Sequence, residues 1–294
     1  MTAIPELFRG LCDDAAIFPP GNKPLDRAVP DHRTHVRSAH GALVGPFVLG
    51  AVKLIELPPL MQGMAQRSFE LSVTVPAPDG VQAVVTTVAL LPPAVLRALE
   101  VAVPQDMAAA EVVPALDTAL AGMDVAGGGL DVYVEVPRDG RRRELLARLA
   151  ESPYRAKFRT GGVEAHLYPD EAELAEAIVA CVRAGLPFKA TAGLHHAVRN
   201  TDPETGFEQH GVVNMLVATA AARSGAEADE VAQILAERDG ASLAERLRSL
   251  DAEAARGVRE SFRSYGTCSI SEPLEELTEL GLLNRDTATR EKGA

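Results

Sequence analysis

"RAKFRTGG", residues 155–162, is the stretch from which the organisation of the chain is read. Successive side chains of an extended segment point to opposite faces. Ala156 and Phe158 therefore take one side, and Lys157 and Arg159 the other. The segment leads to "PDEAELAEAIVACVRAG" (169–185), which opens on an acidic turn and closes on glycine, as a helix does. The same unit recurs. "DVYVEVP" (131–137) precedes "RDGRRRELLARLAES" (138–152), and "PFKATAGL" (187–194) precedes "HGVVNMLVATAAARSG" (210–225). Further strand candidates are "AAIFPP" (15–20), "PFVLGAVKL" (46–54), "FELSVTVP" (69–76), "LEVAVP" (99–104) and "SYGTCSI" (264–270).

Strands alternating with helices at this spacing specify βα units and a parallel sheet. Eight such strands predict an α/β fold of the closed (β/α)8 TIM-barrel type, with extra helices between strands seven and eight. "AVVTTVALL" (83–91) competes as an additional strand. An open doubly wound sheet would carry a glycine fingerprint after its first strand, and "FPPGNKP" (18–24) supplies none. No linker divides the chain, so residues 1–294 read as one domain, with a polar tail from about residue 284 expected to fray.

Composition narrows the function classes. The net charge of −12 and a pI near 5.1 argue against binding nucleic acid or anionic lipid. With four Tyr, eight Phe and no Trp, base-stacking aromatics are scarce. Cys12, Cys181 and Cys268 lie far apart, as expected of a reduced protein without a disulfide framework or zinc cluster. No signal peptide and no run of eighteen apolar residues is present, so the expected location is the cytoplasm. The expected partner is a small-molecule substrate; homo-oligomerisation is left open.

Alternation then points to a site. Glu135 faces inward with Asp131 and Tyr133. Lys157 and Arg159 do the same on the next strand and Lys189 on the one after. Tyr265, Thr267 and Ser269 are assigned inward on the last. One carboxylate set against three cations leaves excess positive charge at the barrel centre. A structural ion network accounts for any single pair, but the surplus fits an anionic ligand or a lysine kept neutral by neighbouring cations.

"AKFRTGG" followed by "FKATAGLHH" resembles the paired strand motifs of deoxyribose-phosphate aldolases and their class I aldolase relatives. The resemblance implies a lyase acting on a small, anionic carbonyl compound, with Lys157 forming a Schiff base, Lys189 lowering its pKa and Glu135 exchanging protons. It implies no cofactor and no metal. By the resemblance Gly161, Gly162, Gly193 and the "GTCS" turn with Ser269 would bind substrate; Arg159 and Thr160 at the end of strand six, and His195 and His196 after strand seven, join them on the residues' own placement. Residues 130–200 carry the likeness. Arg159 stands where the family has a small serine, and "AGLHH" replaces its glycine-pair turn. For the strand-four acid only Glu100 and Asp106 are available.

Two other functions fit the same residues: acid/base isomerisation or hydrolysis of a phosphorylated or carboxylated metabolite by His195 and Glu135, and a catalytically inactive barrel that binds an anion. His195, His196 and His210 lack metal-ligand spacing and read as loop histidines, with His195 or His196 as a proton donor. Asp13 and Asp14 are expected to cap a turn at the end of the barrel away from the site. Cys268 is expected on the outer face.

Overall fold

The computed structural model describes residues 4–123, 125 and 129–284; the polar tail beyond 284 lies outside the described residues. The barrel strands are β1 (Cys12–Asp14), β2 (Val44–Gly50), β3 (Phe69–Val75), β4 (Ala94–Ala102), β5 (Asp131–Glu135), β6 (Arg155–Arg159), β7 (Phe188–Thr191) and, after a two-residue hairpin of β8 (Asn200–Thr201) and β9 (Glu208–Gln209), β10 (Phe262–Thr267). Every barrel pairing is parallel, and β1 closes on β10. The fold is a (β/α)8 barrel.

Around it run α1 (Leu25–Arg37), the short α2 (Leu57–Leu60), α3 (Val81–Ala89), α4 (Ala109–Ala119), α5 (Arg142–Ala150), α6 (Glu171–Arg183), α7 (Val212–Arg223), α8 (Ala228–Ala236), α9 (Gly240–Arg248), α10 (Ala252–Ser261) and α11 (Ser271–Glu279). Helices α7 to α10 are the expected insertion between the seventh and eighth barrel strands. Residues 83–89 of the competing segment are helical, within α3, because Val81, Val84 and Val88 share one buried helical face. Among the described residues no helix is long and apolar enough to cross a membrane.

The first strand departs from expectation. It is Cys12–Asp14 rather than "AAIFPP", which forms a turn-rich loop above it. Asp13 and Asp14 are therefore strand residues, not a cap beneath the barrel. Asp14 faces outward: its Oδ2 lies 3.0 Å from Nδ1 of His32 on α1, and its Oδ1 accepts from the Ala16 amide. Asp13 faces inward.

The apolar core lies between sheet and helices. Phe158, Phe188 and Phe262, outward on adjacent strands β6, β7 and β10, pack in sequence, the first pair tilted with ring centres 5.7 Å apart and the second stacked at 5.4 Å. Each such buried aromatic contributes on the order of 2–3 kcal/mol through burial. The barrel interior is different: where aliphatic layers commonly fill a barrel, this one is filled by Ser72, Glu100, Tyr133, Lys157, Lys189, Asp13 and Ser264.

Candidate active site

Strand register brings the charged residues together. Glu135 pairs with Lys157 across β5 and β6, and Lys157 with Lys189 across β6 and β7. The lysines thus share a face, as the alternation predicts. Lys157 Nζ donates to Glu100 Oε2 at 2.8 Å and to Glu135 Oε2 at 3.0 Å. Lys189 Nζ donates to Glu100 Oε1 at 2.7 Å and to Asp13 Oδ2 at 2.5 Å, and it sits 5.3 Å from the ring centre of Tyr133. Hydroxyls complete the shell: Ser72 donates to Glu100 Oε1 and Ser264 to Asp13 Oδ2. Arg159 Nε donates to Glu135 Oε1 at 3.0 Å.

Three carboxylates therefore meet three cations. This corrects the expected surplus of positive charge, because Asp13 and Glu100 bring two carboxyl groups that alternation had not placed inside; burial raises the Asp13 pKa against the pull of Lys189, so Glu100 is the firmer anion of the two. Of the two acids on and after strand four, Glu100 lies inside the barrel against both lysines, whereas Asp106 lies beyond the end of β4.

The balance sets the protonation states. Burial disfavours the Lys157 ammonium, but Glu100 and Glu135 outweigh it and hold the pKa above the ordinary lysine value. The same opposition, with Asp13 and Glu100 as the anions, raises Lys189 further. Burial works against the Glu100 carboxylate, yet the two lysines pull its pKa well below the usual range. Glu135 shifts the same way, held by Lys157 and Arg159 against burial. In the resting site Lys157 is an ammonium. The expected suppression of its charge by Lys189 and Arg159 does not occur, since each of those cations is itself engaged by a carboxylate.

Above the lysines opens a cavity of about 550 Å³ at the C-terminal ends of the strands. Glu100, Glu135, Lys157, Arg159, Gly162 and His195 reach it. Lys189, Thr160, Gly161, Gly193, His196 and Ser269 are not on its wall. Thr160 donates to the carbonyl of Ala192 at 2.5 Å, pinning a turn in which Ala192 (φ 62°) and Gly193 (φ 72°) are both left-handed. Gly161 packs on Gly193 so tightly that a Cβ would lie 2.5 Å from the Gly193 Cα. His196 lies 2.6 Å from Glu276 on α11, and Ser269 accepts from the Glu272 amide at the start of that helix. His210 is buried, 2.8 Å from the Pro169 carbonyl.

The last strand reverses its expected faces. Ser264 reaches Asp13 inside, and Gly266 and Cys268 line the cavity, whereas Tyr265 is buried against Cys12. Cys268 Sγ lies 3.4 Å from His195 Nδ1. Among the described residues no group of His, Cys, Asp and Glu is arranged to hold a metal ion.

No family model matches the chain, and no curated protein matches it. Among solved structures it is similar to Sulfolobus sulfataricus 2-keto-3-deoxygluconate aldolase in complex with D-KDPG. The two share 11% identity over 94% of this chain and 100% of the other, with a TM-score of 0.39.

Proposed function

We propose that the protein is a lyase of the aldolase type that acts on a small carbonyl compound through a Schiff base on Lys157. One observation carries the reading: Lys157 is the lysine that opens on the cavity, and two carboxylates lie within 3.0 Å of its Nζ. Glu135, the more exposed of the two, accepts the ammonium proton as substrate enters. The amine then adds to the carbonyl carbon, Glu135 returns its proton to the departing hydroxyl, and water leaves, giving an iminium and a free Glu135 carboxylate. That iminium carries the same single positive charge as the ammonium it replaces. Glu100, fixed by Lys189 and Ser72, is thus preorganised to stabilise it without rearrangement. In cleavage, Glu135 takes the proton of the substrate hydroxyl, the adjacent C–C bond breaks toward the iminium, and an enamine and an aldehyde result. Protonation and hydrolysis of the enamine return Lys157. Arg159 holds Glu135 in place and offers its guanidinium to an acidic group beside the carbonyl.

The test is borohydride reduction in the presence of 2-keto acids and aldehydes, followed by peptide mass mapping. The expected result is a stable adduct on Lys157, absent in Lys157→Met. That variant leaves Glu100 with Lys189 and Glu135 with Arg159, so no buried carboxylate is orphaned. Turnover without any adduct would overturn the Schiff base and favour the charged-lysine reading, in which Lys157 and Arg159 grip an anionic group while His195 and Glu135 move protons.

A further inference from the structure

The cavity sets the charged group of Glu100, Glu135, Lys157 and Arg159 against an extended apolar surface. Its walls are Phe18, Pro19, Val48, Val75 and Leu167, and its mouth is flanked by Val52 and Val163, which are 78% and 69% exposed. Isolated apolar residues on a surface are ordinary. Here two of the most exposed ones sit on the lip of the same cleft, continuous with an apolar wall. The glycine turn at 161–162, expected from the sequence to bind substrate, is spent on packing. A Cβ on Gly161 would lie 2.8 Å from Cε1 of Tyr168, and one on Gly162 would collide with Leu167. The Tyr168 hydroxyl donates to the Gly162 carbonyl at 2.9 Å, locking that cover on the turn. The cation nearest the turn, Arg159, gives its Nε to Glu135 at the carbonyl end of the cavity.

We propose that the substrate is an unphosphorylated carbonyl compound bearing an apolar alkyl or aryl group, which lies against this wall while the carbonyl reaches Lys157. The proposal rests on the lyase reading for the position of the carbonyl, and on the cavity alone for the apolar group. An aldehyde ending in phosphate would have to desolvate its dianion against valine, leucine and proline, a burial that is unfavourable without partners.

Two measurements on the full chain test it separately. In the first, borohydride capture at Lys157 is titrated with n-alkanals from ethanal to octanal and with glyceraldehyde 3-phosphate. Half-maximal capture should tighten by about fourfold per methylene until the wall is covered, and the phosphorylated aldehyde should fall behind hexanal. In the second, n-alkanols of the same lengths, which form no imine, are titrated by thermal shift. Their binding should strengthen along the same series and weaken several-fold in Val163→Asp, a change at an exposed position. A flat series in both, or preferential capture of the phosphate ester, overturns the proposal whether or not Lys157 forms imines. Chain-length dependence with the alkanols but no adduct from any aldehyde would sustain the apolar site and remove the Schiff base.

Discussion

Lys157 and Lys189, on adjacent strands, divide one carboxylate between them: Glu100 gives Oε2 to the first and Oε1 to the second. Two ammonium groups are thereby held on the same side of the sheet without facing each other unscreened. Removing the divider leaves both cations short of an anion. Glu100→Gln is expected to destabilise by about 3–5 kcal/mol, the scale for breaking a buried ion pair. Glu135→Gln should cost less, because Glu135 is partly solvated and Lys157 keeps Glu100. Urea denaturation of the two variants checks the order, and equal losses would contradict it.

The pH dependence follows from the directions of the shifts. Glu100 has a depressed folded pKa, so its contribution is fully present above the ordinary glutamate value of ~4.3 and fades only as pH falls through the lower folded value. The stability gap between the native chain and Glu100→Gln should hold steady from pH 7 to about 5 and persist at pH 4. A gap that does not shrink as pH falls below 4 would show an unperturbed carboxylate. Lys157 and Lys189 shift upward. Their contributions are present below the ordinary lysine value of ~10.4 and are lost as pH rises through the higher folded values.

For the same reason adduct formation at Lys157 is limited by the scarce neutral amine. Its rate should climb by about tenfold per pH unit between pH 7 and 10 without levelling off. In Lys189→Met that climb should not move to lower pH, since Glu100 then serves Lys157 alone. A plateau near pH 8 in the native chain, abolished by that substitution, would restore the suppressed-lysine picture. Lys189→Met is also expected to destabilise, but by less than the ~3–5 kcal/mol of a stranded buried charge, because Asp13, its pKa already raised by burial, takes up a proton and keeps the Ser264 hydroxyl.

Cys268 offers a probe of the cavity. Burial pushes its thiol up to about 11, and it sits 3.4 Å from His195. Alkylation should be slow at pH 7, accelerate steadily above pH 9, and reach Cys268 well before the fully buried Cys12 and Cys181. An aldehyde fixed on Lys157 by borohydride should protect it. Mass spectrometry of the labelled peptides decides, and unprotected labelling would place Cys268 outside the substrate's reach.

The inward charges of β5, β6 and β7 were legible because polar and apolar residues alternate there without a break. Three things were not. β1 is a three-residue acidic strand beside the more apolar "AAIF", so hydrophobicity drew attention to the wrong segment and Asp13 was missed. In β4, Arg97 and Glu100 stand three apart in an apolar run, and a register shift between Leu71 and Ser72 on its partner hides which face each takes. In "SYGTCS" both faces carry small or polar residues, so alternation has no contrast, and Ser264, Gly266 and Cys268 were assigned outward. Each miss is a place where the interior is polar and the hydrophobic pattern carries no signal.

The chain of charges also has a bearing on how the molecule is made. Asp13 belongs to the first strand and finds its cation 176 residues later in Lys189, while Ser264 binds the same carboxylate from 251 residues away. Bringing such distant partners together carries a large loop-closure entropy and places their contact late in assembly. Until the seventh and last barrel strands arrive, a nascent sheet holding Asp13 and Glu100 has two carboxylates that must stay hydrated. A half-finished barrel therefore has no dry interior to settle into, and intermediates that bury this face early are disfavoured. The ring of ion pairs around Lys157 and Lys189 thus ties completion of the interior to closure of the barrel.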